Sequence, residues 1–187
     1  MEPAAGTTGD GELVVRARRG DVAAFGELVR RHEATVVRMA SMVCGPSDAE
    51  DVAQEAFVRA YKALDRFEVD RPFRPWITRI VVNVAKNSVR SERRRLVLSL
   101  RAIGDASVPD VAADRAIADE QRRLLADALA RLSERDRLVL ACRWFEDMSE
   151  RDIAVALGVR AGTVKSRLSR AMNRLRTELE ELEVTRG

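Results

Sequence analysis

The sequence has 187 residues, of which 46% are hydrophobic, 34% charged and only 4% aromatic, and its formal net charge is +3. This length suits one ordinary domain or two small ones, with cores built from Leu, Val, Ile and Ala. Because Ala, Leu, Arg and Glu are strong helix formers, the composition favours an all-α fold. Cys44 and Cys142 belong to no metal-binding motif, and no apolar run approaches the roughly 20 residues that cross a bilayer. We therefore expect a cytoplasmic protein without metal, cofactor or membrane insertion.

The N-terminal half predicts a short tail followed by one helical domain. Residues 1–9 contain Gly, Thr and acids without an apolar core, which indicates a disordered tail. Apolar residues then recur at helical spacing, with a break at Gly20. The segment Ser47–Glu50 has the form of a capping box, with Ser at the N-cap and Glu three residues later. It predicts a helix that runs to about Leu64.

A long basic helix closes this domain, and a linker leads to a second one. Pro75 suits a first helical turn, and the helix around it is expected to end near residue 94. Residues 96–115 contain glycine and proline without a sustained period, which predicts a flexible linker. Helical spacing returns after the linker, where Ser133 is expected to cap a helix that runs to about Phe145. We therefore expect two small helical domains, at residues 10–95 and 116–187.

The most informative local pattern starts at Ser149, which is expected to cap a short helix. Gly158 marks a tight turn after it, and a second helix begins near Thr163, which is typical of a helix-turn-helix. The first half of this second helix carries no acid. Its polar side consists of donors that suit base edges and phosphates in the major groove. The candidate DNA-binding residues are Arg160, Thr163, Lys165, Ser166, Arg167, Ser169 and Arg170.

A solvated basic face of an ordinary helix bundle is the simpler alternative for this second helix. The capped short helix, the glycine turn and the absence of acids coincide, however, and together they favour DNA reading.

Three parts of the sequence carry a more specific resemblance. They are Asp48–Phe57; Phe73–Ile77 with Asn83–Asn87; and Leu132–Arg137 with Gly162–Ala171. In their order and spacing they resemble the core-binding, −10-reading and −35-reading parts of the sigma-70 family, in its extracytoplasmic-function (ECF) group. The resemblance covers about residues 10 to 182. One departure is Asn87, where many members carry Asp.

The resemblance implies that the helix of the first block docks on the coiled coil of the polymerase β′ subunit. The residues concerned are Asp51, Gln54, Glu55 and Phe57. The position of Phe57 has two interpretations, since large aromatic side chains are mostly buried and this one could equally belong to the core.

The resemblance also implies that the loop Arg66–Arg71 captures a base of a melted −10 strand. Phe67 would stack on that base or wall its pocket. Asn83 matches the position that faces the promoter strand, and its amide can both donate and accept. The candidate −10 residues are Phe67, Asn83, Lys86, Asn87, Arg90, Arg93 and Arg94. Trp76 could be a wedge at the edge of the melted region or a core anchor, and its helical spacing favours the core.

Together these implications predict a non-enzymatic sigma factor that is a monomer when free. It would bind core RNA polymerase through the β′ coiled coil and the β flap, read −10 and −35 promoter elements, and be controlled by an anti-sigma factor. A stand-alone helix-turn-helix transcriptional regulator is the alternative, but the acidic helix would then be unexplained. A helical enzyme would need a cluster of His, Cys or paired carboxylates, and the sequence offers none.

Overall fold

A computed structural model of the protein describes residues 9–99 and 116–186, with side chains for residues 9–91 and 123–184. The described residues form eight α-helices and no strand, which confirms the predicted all-α fold. The helices are α1 (Asp10–Arg18), α2 (Val22–Cys44), α3 (Ala49–Ala63), α4 (Phe73–Ser99), α5 (Ala116–Arg131), α6 (Glu134–Leu140), α7 (Glu150–Leu157) and α8 (Ala161–Arg186). None of the helices within these ranges combines the length and the apolar character that crossing a membrane requires.

The predicted break between the first two helices is confirmed at Gly20, whose φ is 90°. Asp21 then caps α2, because its carboxylate accepts a hydrogen bond from the backbone N–H of Ala24 at 3.0 Å. Arg16 donates to the same carboxylate at 2.7 Å. The bond from Arg16, followed by the bond from Ala24, lowers the pKa of Asp21 below its ordinary value.

The capping box predicted at Ser47 is wrong. Helix α3 begins at Ala49 with Asp48 at the N-cap, and no side chain caps it. The chain turns sharply at Gly45, whose φ is 87°. The Pro46 carbonyl accepts the N–H of Ala49 at 3.4 Å, so a backbone turn satisfies this helix end instead of the Ser47 hydroxyl.

The core of the first domain lies where α2, α3 and α4 pack together. Its fully buried members are Leu28, Val36, Met39, Ala40, Ala56, Ala60, Ile77, Val81 and Ala85. Helix α3 contributes mainly alanines, whose small side chains let α2 and α4 approach closely. A 3₁₀ turn, Leu64–Arg66, continues α3 and leads into the loop before α4.

The second domain follows the predicted caps closely. The hydroxyl of Ser133 accepts the N–H of Asp136 at 3.3 Å, and the hydroxyl of Ser149 accepts that of Asp152 at 3.2 Å. Gly158 ends α7 with a φ of 64°, a left-handed conformation that favours glycine. The buried members of this domain include Leu138, Val139, Ile153, Val164 and Ala171.

Two helix ends differ from the prediction. The helix expected to stop near residue 94 continues as α4 to Ser99, and the rest of the predicted linker, residues 100–115, lies outside the described residues. The helix expected to reach Phe145 changes at Ala141 into a wider π-helical turn, Ala141–Phe145. In that turn Trp144 and Phe145 are exposed, which no feature of the local sequence indicated.

Candidate functional site

The exposed face of α3 brings together three of the four predicted polymerase-binding residues. Asp51, Gln54 and Glu55 are all exposed and recur at intervals of three and four residues, so they share one side of the helix. Glu55 also pairs with Arg59 at 2.7 Å. Val58 continues the same stripe with 47% of its surface exposed. Sequence reasoning missed Val58, because an apolar residue in an amphipathic helix is normally assigned to the core.

Phe57 does not belong to that exposed face. It is only 8% exposed and forms part of the hydrophobic core of the first domain. Of the two interpretations of Phe57, the structure therefore supports a position in the core. Its side chain packs inside while its neighbours Gln54 and Glu55 point outward, as the helical period requires.

A polar stripe runs along α4 and contains most of the predicted −10 residues. Asn83, Asn87 and Arg90 are exposed at spacings of four and three residues. Lys86 is half-buried beside them, and its ammonium lies 3.3 Å from the carboxylate of Glu134 in the second domain. Of the three remaining candidates, Phe67 lies in the loop before α4, and the side chains of Arg93 and Arg94 lie outside the described ones.

A cleft of about 420 Å³ opens beside this stripe. The loop before α4 and the first turns of α4 form most of its wall, and α7 of the second domain closes one side. Its lining residues are Arg66, Phe67, Glu68, Asp70, Arg71, Pro72, Pro75, Trp76, Arg79, Arg151, Asp152 and Val155. The cleft combines arginines with aromatic rings, which is the chemistry that suits an unstacked base and its phosphates.

The aromatic wall of the cleft is a packed cluster of three rings. The ring of Phe67 lies 5.5 Å from that of Phe73 and 5.0 Å from that of Trp76, centre to centre. Phe67 is buried, so it walls the cleft and does not present a free stacking face. Trp76 is half-buried and packs against the core, as its spacing predicted, yet it also lines the cleft.

The start of α8 presents the predicted −35 residues on its solvent side. Arg160, Lys165, Ser166, Ser169 and Arg170 are exposed, whereas Thr163 and Arg167 are half-buried. Ser166 donates to the Thr163 carbonyl at 3.0 Å, and Arg170 donates to the Ser166 carbonyl at 3.1 Å. Among the described side chains, no carboxylate lies within 4.0 Å of the basic groups in this set. Their charge is therefore available to an anionic partner.

The two domains contact each other through an acid that sequence reasoning missed. Glu146 is only 3% exposed. Its carboxylate accepts hydrogen bonds from the Thr35 hydroxyl at 2.6 Å and from the Arg38 guanidinium at 2.9 Å. Arg74 donates to its backbone carbonyl at 3.1 Å. Burial, followed by the nearby negative charge of Glu146, raises the pKa of the Cys142 thiol to about 12.

We expect Glu146→Ala to loosen the contact between the domains. Hydrogen bonds to charged groups contribute about 1.5–3 kcal/mol each, so losing those from Thr35 and Arg38 should favour separated domains by roughly tenfold or more. Small-angle X-ray scattering of the free chain measures the effect as a larger radius of gyration. Glu150→Ala, at an exposed acid of α7, is the matched control and should leave the radius unchanged. An unchanged radius for Glu146→Ala would contradict the expectation.

The fold and these surfaces define a class: a helical two-domain protein with one exposed acidic helix and two separate donor surfaces suited to DNA. The family described as Sigma-70 region 2 matches residues 28–95, and the one described as Sigma-70, region 4 matches residues 128–177. The RNA polymerase sigma-H factor of Pseudomonas aeruginosa is 35% identical over 92% of this chain and 95% of its own length. The ECF RNA polymerase sigma-E factor of Escherichia coli K12 is 33% identical over the same shares.

Two solved structures show the same fold. CnrH, in complex with the cytosolic domain of CnrY, is 29% identical with a TM-score of 0.67, over 92% of this chain and 97% of that one. The sigma factor RpoE of Bartonella quintana, in complex with the anti-sigma factor NepR, is 25% identical with a TM-score of 0.68, over 85% of this chain and 98% of that one. The chain belongs to the sigma-70 family of RNA polymerase sigma factors, in its ECF group. It therefore binds core RNA polymerase and directs promoter-specific transcription initiation.

Proposed function

We propose that three surfaces divide this work. The exposed stripe of α3 docks on the β′ coiled coil of core polymerase. The polar stripe of α4 and the cleft beside it hold a melted −10 strand, and the start of α8 reads the −35 element in the major groove. The observation that carries the proposal is that two separate sets of exposed donors, on α4 and on α8, lie in different domains of one chain. One DNA-binding surface would suffice for a simple regulator.

The side chains of the two donor surfaces suit different kinds of contact with DNA. On α4 the exposed amides of Asn83 and Asn87 can read base edges, while Arg90 suits a phosphate. On α8 Ser166, Ser169 and Arg170 share one exposed side, and a guanidinium can hold a guanine edge with two parallel bonds. Each surface is small, so each contributes little affinity alone. When polymerase holds both domains near one promoter, the second contact becomes intramolecular and the combined affinity rises.

Two further contacts follow from the proposal. The second domain would meet the β flap of polymerase, and the exposed rings of Trp144 and Phe145 offer an apolar surface for it. RpoE was solved in complex with the anti-sigma factor NepR, so we propose that an anti-sigma factor covers the α3 stripe of this chain. The protein would act in the cytoplasm, as a monomer when free, without catalysis of its own.

The −35 assignment is tested with reconstituted transcription. Sigma-free core polymerase, the purified chain and genomic DNA fragments from the source organism yield transcripts whose 5′ ends define the promoters. Arg170→Ala should then lower transcription about tenfold on the native promoter, because a base contact of this kind contributes about 1–3 kcal/mol. It should have little effect when the −35 sequence is scrambled. Arg176→Ala, at an exposed arginine further along α8, is the matched control.

The same experiment separates the alternative of a stand-alone regulator. An equal loss for Arg170→Ala on both templates would contradict base reading by this residue. If no promoter-specific transcript is made from any genomic fragment and the free chain binds an operator as a dimer, the assignment as a polymerase subunit fails.

A further inference from the structure

Helix α1 is hydrogen-bonded to the segment that forms the cleft, although the two are far apart in sequence. The Arg18 guanidinium donates to the Leu64 carbonyl through Nε at 3.0 Å and through Nη2 at 2.8 Å. Nη2 also donates to the Phe67 carbonyl. One side chain therefore holds both ends of the 3₁₀ turn, whose last residue and successor, Arg66 and Phe67, line the cleft.

The buried side chains of Leu64 and Phe67 anchor this segment, and Arg18 adds bonds to its backbone carbonyls. Carbonyls at a helix end have no partner inside the helix, and loops that leave such ends are ordinarily mobile. The Leu64 carbonyl already accepts the N–H of Phe67 at 3.0 Å, and Arg18 adds charge-assisted bonds to it. The planar fork of arginine suits this geometry, because it directs several N–H groups at two acceptors at once.

A second contact from α1 reaches the middle of the same loop. A Cβ atom placed on Gly11 would lie only 3.0 Å from the carbonyl oxygen of Val69, so the backbone of α1 lies directly against the loop there. Any side chain at this position would push the loop by a few tenths of an ångström. Arg18 thus holds the loop at residues 64 and 67, and Gly11 lets α1 lie directly against it at residue 69.

Helix α1 is itself well anchored and can serve as a support. Leu13, Val14 and Ala17 are buried in the core of the first domain. The Asp10 carboxylate accepts a hydrogen bond from His32 Nε2 at 2.8 Å, which connects the start of α1 to the buried face of α2.

We propose that Arg18 and Gly11 are positioning residues that pre-shape the cleft for one unstacked base of the −10 strand. The inference rests on the proposed role of the cleft. Neither residue lines the cleft. They act because a binding loop that is already ordered loses less conformational entropy when its ligand binds.

The test compares DNA strands with and without the captured base. The full chain, bound to core polymerase, is titrated with a labelled single strand of its −10 sequence and with strands made abasic at each position in turn. For the wild type, one abasic position should lower affinity about tenfold, as expected for a stacked base. Arg18→Met should lose a similar factor on the intact strand and bind that abasic strand as the wild type does. Arg18→Lys should recover part of the loss, because an ammonium can still donate to these carbonyls.

Gly11→Ala provides a second variant that separates positioning from general stability. Alanine favours a helix more than glycine does, so α1 should not be weakened, yet its Cβ displaces the Val69 carbonyl. We expect thermal stability to be maintained while the abasic-sensitive part of the affinity falls. Arg19→Met, at an exposed neighbour of Arg18, should change neither quantity.

The possible outcomes distinguish the proposed role of the cleft from the positioning role of Arg18 and Gly11. If the wild type shows no abasic-sensitive position, the proposed role of the cleft fails and the inference falls with it. If the wild type shows one, but Arg18→Met and Gly11→Ala keep the full difference between intact and abasic strands, the cleft stands and the positioning role is wrong. Equal weakening on both strands would show a merely structural role for α1.

Discussion

Asn83→Ala is expected to lower promoter-specific transcription by about tenfold to one hundredfold. Asn83 is exposed at the centre of the polar stripe of α4, and its amide offers a donor and an acceptor at once. A bidentate contact of this kind to a base contributes about 1–3 kcal/mol, and each 1.4 kcal/mol is about tenfold. Affinity for core polymerase should stay unchanged, since Asn83 is not on α3. Transcript yield tests the expected loss of transcription. Core-binding affinity, measured on the same preparations, tests whether polymerase binding is unchanged.

Gln54→Ala is the matched control for Asn83→Ala, because it also removes an exposed helical amide. It lies on the α3 stripe, so it should weaken binding to core polymerase and leave the affinity of the assembled complex for the −10 strand unchanged. The two variants should therefore show opposite patterns. If both variants lowered the same quantity, α3 and α4 would not have the separate roles that we propose.

Phe73→Ala is expected to lower the free energy of unfolding of the first domain by about 3–5 kcal/mol. Phe73 is 2% exposed and is the largest fully buried side chain among the residues that the structure describes. Its ring contacts those of His32 at 5.0 Å and Trp76 at 5.3 Å, so removing it leaves a cavity that its neighbours cannot easily fill. The loss is a large part of the roughly 5–15 kcal/mol that stabilises an ordinary domain. Urea unfolding followed by far-ultraviolet circular dichroism measures it.

Phe145→Ala is the control for the loss of a phenyl ring. Phe145 is 49% exposed, and surface changes away from special features are usually within about 0.5 kcal/mol. A similar loss of stability in both variants would show that the aromatic cluster around Phe73 is not a principal support of the first domain.

Features that depend on neighbouring residues could be predicted from the sequence. The Ser133 and Ser149 caps, the Gly158 turn and the break at Gly20 each follow from chemistry within about four positions. The segment Ser47–Glu50 matches the capping-box pattern, yet the turn after Gly45 satisfies the start of α3 through the backbone. The local sequence identifies residues that can cap a helix. The conformation of the preceding chain determines which of them does so.

Features that depend on contacts across the chain could not be predicted. Arg18 meets carbonyls 46 and 49 positions away, and Thr35 meets Glu146 across 111 positions. No periodicity marks either partner, because exposed and buried charges look alike in a sequence. The same limit left Phe57 open, since a helical period assigns sides to a helix without saying which neighbours cover them.

The bond between Lys86 and Glu134 links promoter affinity to the arrangement of the domains. Lys86 lies on the α4 stripe that we propose faces DNA, and in this arrangement its charge is paired with Glu134 of the second domain. A partner that needs Lys86 unpaired binds only the fraction of molecules in which that bond is open. Such a partly exposed pair is worth about 1 kcal/mol or less, so its opening accounts for a change in apparent affinity of about fivefold at most. Any partner that separated the two domains would therefore raise the affinity for DNA without touching the residues that we propose contact it.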